Sequence, residues 1–414
     1  MDICTAVPQT HTTSMARKMG LLFIMYMLQN IHTGFTWALF PMLMRKQGFG
    51  LSEIGFSVLV YSPWAMKFLY ASAVDRWHLP GLGRRKTWFA PLMLSICLTL
   101  PLLSVLNPET QLMPILIGVF FLNWFSATAD IAVDGYATDI LHPQEMAWGN
   151  AVQMMGYGVG ILLGSSVFLM MYEASGWRFT LLCMAGLYAI LLQPVLLHRE
   201  MDSVHHVTPT EKSDNPSALA FFKTATCRWA LLFILICAWL VHGGNQMRFP
   251  MLVDKGLDAS DVGQLMFCFG APINIMGSLL GGYLITRKGE FRVFMLGGAL
   301  AATVSLWSVL VQQMEGSATW MVAVMFALDN LMVGIMMVLV YNLIMGISAG
   351  PHAATRFAVL CAANHVAMFT ITPLASVLCG WLGYTALFST LSVTSLLTIL
   401  PARYLIRRKI HQMT

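Results

Sequence analysis

Hydrophobic and polar positions along this chain sort into long apolar blocks separated by short polar breaks. A helix needs about 20 apolar residues to cross a bilayer core. Twelve stretches meet that need, at roughly 19–44, 51–74, 87–106, 111–137, 147–171, 177–197, 228–250, 259–285, 291–312, 317–346, 353–379 and 382–405. The pattern predicts an all-α polytopic membrane protein. Most connections are short. The exception, 199–227, holds Val204-His-His-Val-Thr-Pro-Thr-Glu-Lys-Ser-Asp-Asn-Pro216 and reads as a flexible linker. It divides the chain into an N-terminal six-helix half (1–198) and a C-terminal six-helix half (228–414). The polar start, Met1 to Ala16, does not resemble a cleavable leader, and the apolar run from Met19 is long enough to span and stay.

Composition agrees. The 414 residues are 57% hydrophobic and 10% charged, against about 25% charged in soluble chains. Such a chain would aggregate unless lipid were its solvent. Eight scattered cysteines form no CxxC and mostly lie in apolar runs, so they read as small packing residues, with no metal site and no cofactor expected. The thirty-one methionines read as packing too, although a Met-rich surface also suits an adaptable cavity. Cationic residues set the orientation. With both termini inside, only Arg45, Lys46, Arg178, Arg248 and Lys255 fall outside and Lys67 falls within a span; every other Lys and Arg lies on the cytoplasmic side. The net charge of +5 therefore reflects topology and not nucleic-acid binding.

The halves repeat. Phe40-Pro-Met-Leu43 recurs as Phe249-Pro-Met-Leu252, followed by Lys46-Gln-Gly48 and Ser52-Glu-Ile-Gly55 against Lys255-Gly256 and Ser260-Asp-Val-Gly263. His32 and His242 stand at the same distance from a basic helix start, at Lys18 and Arg228. Asp75-Arg76 with Gly83-Arg84-Arg85 corresponds to Thr286-Arg287 with Gly289-Glu290-Phe291-Arg292. Several matches in one order define a repeat. Both copies begin inside, so the repeat is parallel about an axis along the membrane normal, with a cavity between the halves near the midplane.

Charges in lipid are costly and usually functional. Lys67 in the second span lies eight residues before Asp75, and Asp130 in the fourth lies nine before Asp139. At 1.5 Å per residue they sit about 12 and about 13.5 Å above the inner ends, at similar depth. They are expected to pair or to compete for a proton. Asp130 and Asp134 share a helix face, which suits a proton carrier; a static charge network tying the fourth span to the second and eleventh is the alternative. Asp329, mid-span in the tenth, either faces the cavity, for solute or proton, or meets a charge on another helix. Arg248, after His242-Gly-Gly-Asn245, either holds an anionic solute, with His242 and Asn245 beside it, or snorkels to the outer headgroups. Gln29, Asn30 and His32 either line the cavity or bond helix to helix. Trp64, one turn before Lys67, offers a flat face to an aromatic solute or packs. Asp75, Arg76, Arg84, Arg85 and Arg287 form a candidate cytoplasmic latch between the halves, or anchor topology. The run Gly156-x-Gly158-x-Gly160-x₃-Gly164 allows close helix approach and is no nucleotide loop, since it lies in lipid with no strand before it.

Asp75-Arg76…Gly83-Arg84-Arg85 resembles the loop 2–3 signature of the major facilitator superfamily. Pro63-Trp-Ala-Met-Lys-Phe-Leu69, Gly83-Arg-Arg-Lys-Thr-Trp88 and Ser126-Ala-Thr-Ala-Asp-Ile-Ala-Val-Asp-Gly-Tyr-Ala-Thr-Asp139 resemble the branch of AmpG muropeptide permeases, acetyl-CoA transporters and RhtX/FptX-type siderophore permeases. The resemblance covers most of the first half; Ala129 departs from it, where relatives often carry Gln. Lys67, Asp130 and Asp134 occupy motif positions, to which the motif itself assigns no role. AmpG-like permeases usually carry two further helices, and Gly34-Phe-Thr-Trp-Ala-Leu-Phe-Pro41 resembles the first helix of the siderophore permeases. The resemblance thus implies a major facilitator fold and a proton-driven bacterial inner-membrane importer, expected to be a monomer. Its implied cargo is a ferric siderophore of the pyochelin kind, with a muropeptide permease as the alternative. A membrane enzyme has no support: HExxH and a nucleotide-binding loop are both missing.

Overall fold

The computed structural model describes residues 14–79, 81, 83–142, 145–198, 200, 225–314, 319–348 and 353–398, and all regular structure among them is helical. The helices are α1 (Met15–Leu28), α2 (Ile31–Lys46), α3 (Leu51–Phe56), α4 (Pro63–Met66), α5 (Ala71–Arg76), α6 (Lys86–Ser104), α7 (Leu112–Ile140) and α8 (Met146–Leu162). They continue as α9 (Leu169–Leu197), α10 (Ala225–His242), α11 (Asn245–Asp254), α12 (Ala259–Phe269), α13 (Ala271–Lys288), α14 (Glu290–Gln313), α15 (Thr319–Ser348) and α16 (Ala353–Leu397).

This path is consistent with twelve passes. Among the described residues, eight continuous stretches are long and apolar enough to cross a membrane. Two of them hold two passes each, because α9 turns at Gly176 (φ 78°) and α16 at Gly383 (φ 79°). A positive φ with extended ψ suits glycine and ends a helix. The two turns occupy corresponding places in the repeat, as do Gly48 (φ 82°) and Gly256 (φ 85°). The first two passes are broken where hydropathy alone predicts continuous spans. The first is α1 plus α2, interrupted at Gln29-Asn30, where Asn30 Nδ2 donates to the Tyr26 carbonyl and competes with the helix ladder. The second is α3–α5 joined by 3₁₀ turns at Ser57–Tyr61 and Lys67–Leu69. Pro63 offers no N–H to the ladder, and mid-pass 3₁₀ geometry often marks a functional hinge. Lys67 sits on that hinge.

The glycine run of α8 does what its spacing suggests. A Cβ on Gly156 or Gly160 would strike α1 around Phe23–Asn30, and one on Gly164 would strike the α2 backbone at Ile31–Phe35. Gly158 faces elsewhere, toward Ile275. Beyond it the ladder loosens into a π turn, Leu163–Phe168, which packs on α2 and α12. The linker call at 199–227 lies largely outside the described residues.

Candidate functional site

Lys67 Nζ donates to Asp130 Oδ2, joining the second and fourth passes. The depth match in the sequence is thus realised as contact. Asp130 is buried, and Lys67 keeps partial exposure beside the Trp64 ring, 5.3 Å from its centroid. One turn along α7, Asp134 Oδ1 accepts from Tyr26 Oη (2.8 Å) and Gln153 Nε2 (3.1 Å). The two carboxylates share a face and divide their partners: one holds the second pass, the other the first and fifth. Aromatic surface lies alongside, with Tyr70 stacked on Trp124 at 5.7 Å and hydrogen-bonded to Thr128.

Toward the α2 side the polar lining continues. Trp64 Nε1 donates to Asn123 Oδ1 (3.1 Å), and His32 Nδ1 meets Tyr188 Oη (2.9 Å). His32 therefore ties helices together inside the first half. Gln29 differs. It is fully buried, and neither its Nε2 nor its Oε1 has a partner. An unmet buried amide costs about 1–3 kcal/mol, a penalty expected where a group serves something other than packing. Gln29→Leu is expected to leave thermal stability in detergent equal or higher while lowering solute uptake. Lower stability with unchanged uptake would assign the amide to packing.

In the second half, Arg248 Nη1 donates to Asp329 Oδ1 (2.9 Å), Asn245 Nδ2 to Asp329 Oδ2 (2.8 Å), and Arg248 Nε to Ser308 Oγ (3.2 Å). Arg248 is 4% exposed and Asp329 2%. Snorkelling is overturned. The seventh pass breaks at Gly243-Gly244, and α11 carries Arg248 inward to a charge the sequence left unpartnered. His242 is partly buried. His365 was not singled out in the sequence. Its signal is the same as for Asp329, a polar group deep in an apolar block. Its Nδ1 lies 3.0 Å from the Cys361 carbonyl, which fixes the tautomer and leaves Nε2 as the acceptor. Tyr26, Gln153 and Asn123 were also missed, since they become site residues only through packing.

The candidate latch is described only in part. Arg85 Nε donates to Asp139 Oδ2 (2.8 Å), inside the same half. The backbone N–H groups of Arg85 and Lys86 both donate to Glu200 (3.0 and 2.9 Å), a carboxylate on a helix N-terminus. The Arg85 guanidinium lies over Gly135, where a Cβ would collide with it. Arg287 is exposed and rests on Tyr283. The side chains of Asp75 and Arg76 lie outside the described residues. Among the described residues no group of His, Cys, Asp and Glu is placed to hold a metal.

Comparison with known proteins follows the same line. An anhydromuropeptide permease of Escherichia coli (strain K12) is 25% identical over 393 residues, covering 94% of this chain and 79% of that protein. A Rickettsia bellii transporter bearing the AmpG name is 20% identical over 408 residues, covering 94% of this chain and 99% of that protein. Among solved structures, a POT family transporter in complex with a thioalcohol-conjugated peptide superposes with a TM-score of 0.72 at 13% identity, covering 95% of this chain and 96% of its own. A bacterial homologue of the human lysosomal transporter Spinster gives 0.66 at 14% identity, covering 95% of both chains. At those identities the structures speak for the fold alone. The sequence profile of the Major Facilitator Superfamily matches residues 22–310 and 234–413, and the chain belongs to that superfamily of membrane transporters.

Proposed function

We propose that this transporter is a proton-driven importer of the bacterial inner membrane, with both termini cytoplasmic, working by alternating access. The observation that carries the reading is the charge balance around α7. Asp130 and Asp134 share a helix face, and the ammonium bonded there is Lys67. Two carboxylates against one ammonium leave a negative charge that a proton neutralises, and losing that proton to the other side is what couples transport to the gradient. Trp64 and Lys67 form the solute-facing set in this reading, Gln29 joins it when alternating access opens the packing around its unmet amide, and His32, Asn123 and Tyr188 hold its shape. Arg248 and Asp329 serve as a brace.

For the solute, the relatives favour a cell-wall fragment of the class named in the Escherichia coli permease. Chain length no longer weighs against it, since the Rickettsia bellii transporter is matched over 99% of its length. A ferric siderophore is the second reading. It rests on the resemblance of Gly34–Pro41, on the Trp64 ring beside the Lys67 cation and on the stacked faces of Tyr70 and Trp124, which suit an aromatic anionic chelate.

One set of cells decides, lacking and then regaining this chain. Uptake of labelled muropeptides and of radiolabelled iron with a panel of siderophores is measured, each with a protonophore control. Restored muropeptide recovery that the protonophore abolishes is the expected result. Restored iron uptake with one siderophore and unchanged muropeptide recovery would move the assignment to the second reading. Restored uptake that survives the protonophore would remove proton coupling.

A further inference from the structure

The repeated sequence segments meet each other in space. Phe40–Leu43 and Phe249–Leu252 align at an offset of 209 residues, so Arg45 is the counterpart of Asp254. These two residues form a bidentate pair, Arg45 Nε to Asp254 Oδ1 at 2.7 Å and Arg45 Nη2 to Oδ2 at 2.8 Å. Tyr384 Oη adds a third contact to Asp254 at 2.9 Å. Equivalent residues close to a twofold axis face one another. A strict repeat would set like against like, two repelling charges. Here the copies carry opposite charges, and among the described ion pairs this is the one that joins the halves.

The matched glycines lie at the same end. Gly55 is pressed against Ser376 and Pro373 of α16, and Gly263 against Ser166 and Met170 around the π turn. In both places a first-half element meets a second-half element with no room for a Cβ. Glu173 adds a bridge by accepting from Ala259 N at 3.3 Å. The ion pairs described at the opposite end, Lys18–Glu145 and Arg85–Asp139, stay inside the first half.

We propose that the duplicated segment is the outer gate of the transport cycle, seated by Gly55 and Gly263 and latched across the axis by Arg45 and Asp254. This rests on the orientation proposed above. The latch is partly exposed, so it biases the equilibrium between open and closed forms modestly, while the glycine seats decide whether closure is possible.

The test uses a cysteine-free background carrying Thr36→Cys, a buried reporter on α2, with an impermeant thiol reagent applied to intact cells. Arg45→Ala and Asp254→Ala are expected to raise its labelling rate about two- to fivefold, the range a partly exposed ion pair supports. The swap Arg45→Asp/Asp254→Arg is expected to return it to the starting rate, because the positions are equivalent. Gly55→Leu is expected to raise labelling about tenfold or more and to abolish uptake. Unchanged labelling in both single variants, or a swap no better than either, would overturn the latch; unchanged labelling in Gly55→Leu would overturn the seat. Glu109→Cys, in the loop that Gln47 touches through Pro108, reports orientation separately. If it labels only after permeabilisation, the orientation fails, and the gate variants are then judged on inverted vesicles.

Discussion

Asp329→Ala is expected to destabilise the protein by about 3–5 kcal/mol, the loss typical when one member of a buried pair is removed. Arg248 would remain in the interior with its Asp329 contact gone, keeping its hydrogen bond to Ser308 and its place 5.7 Å from the Phe388 ring. Asn245 would lose its acceptor as well. The paired change Arg248→Met/Asp329→Leu is expected to recover most of the stability, since apolar groups of similar volume often replace a buried pair at little loss. Thermal unfolding in detergent measures the first effect and uptake the second. Uptake retained in the stable double variant would show a brace between the seventh and tenth passes. Uptake lost in a stable double variant would place the pair on the solute or proton path.

Asp130→Asn is expected to abolish concentrative uptake while exchange of solute across the membrane continues. With one proton carried per solute, each pH unit across the membrane supports about tenfold accumulation. The variant is expected to bring that ratio to about one. Lys67 would then have Asp134 as the remaining carboxylate on the same face of α7. Asp134→Asn is expected to lose concentrative uptake as well, because it removes the same excess charge, while the fold is kept since an amide oxygen still accepts from Tyr26 and Gln153. Full proton-driven accumulation by Asp130→Asn would sink the coupling role, and equal loss in both variants would show that the carboxylates act as one unit.

The Lys67–Asp130 contact was readable before any coordinates because depth in a membrane is one-dimensional. Helix rise and span ends place two charges at one level, and the cost of charge in lipid makes them seek each other. The Arg248–Asp329 pair was not readable. It depends on the break at Gly243-Gly244, which changes how far Arg248 reaches, and no count along a continuous helix contains that. The partner of Arg85 was not readable for a related reason. A basic cluster next to glycine signals a charged loop end, but only packing chooses between Asp139 in the same half and a partner in the other.

What the chain determined by itself is its solvent, the layout of its passes and its duplication, because hydropathy and repeat spacing are properties of order along a line. The tertiary structure decided which polar groups meet. Arg45 and Asp254 are 209 positions apart, and only folding about a common axis brings them within hydrogen-bonding distance. Gln29, His32 and Trp64 looked alike as polar or aromatic groups within apolar blocks. The fold separates them, since the rotation of each helix leaves one amide unpartnered and ties the other two to Tyr188 and Asn123.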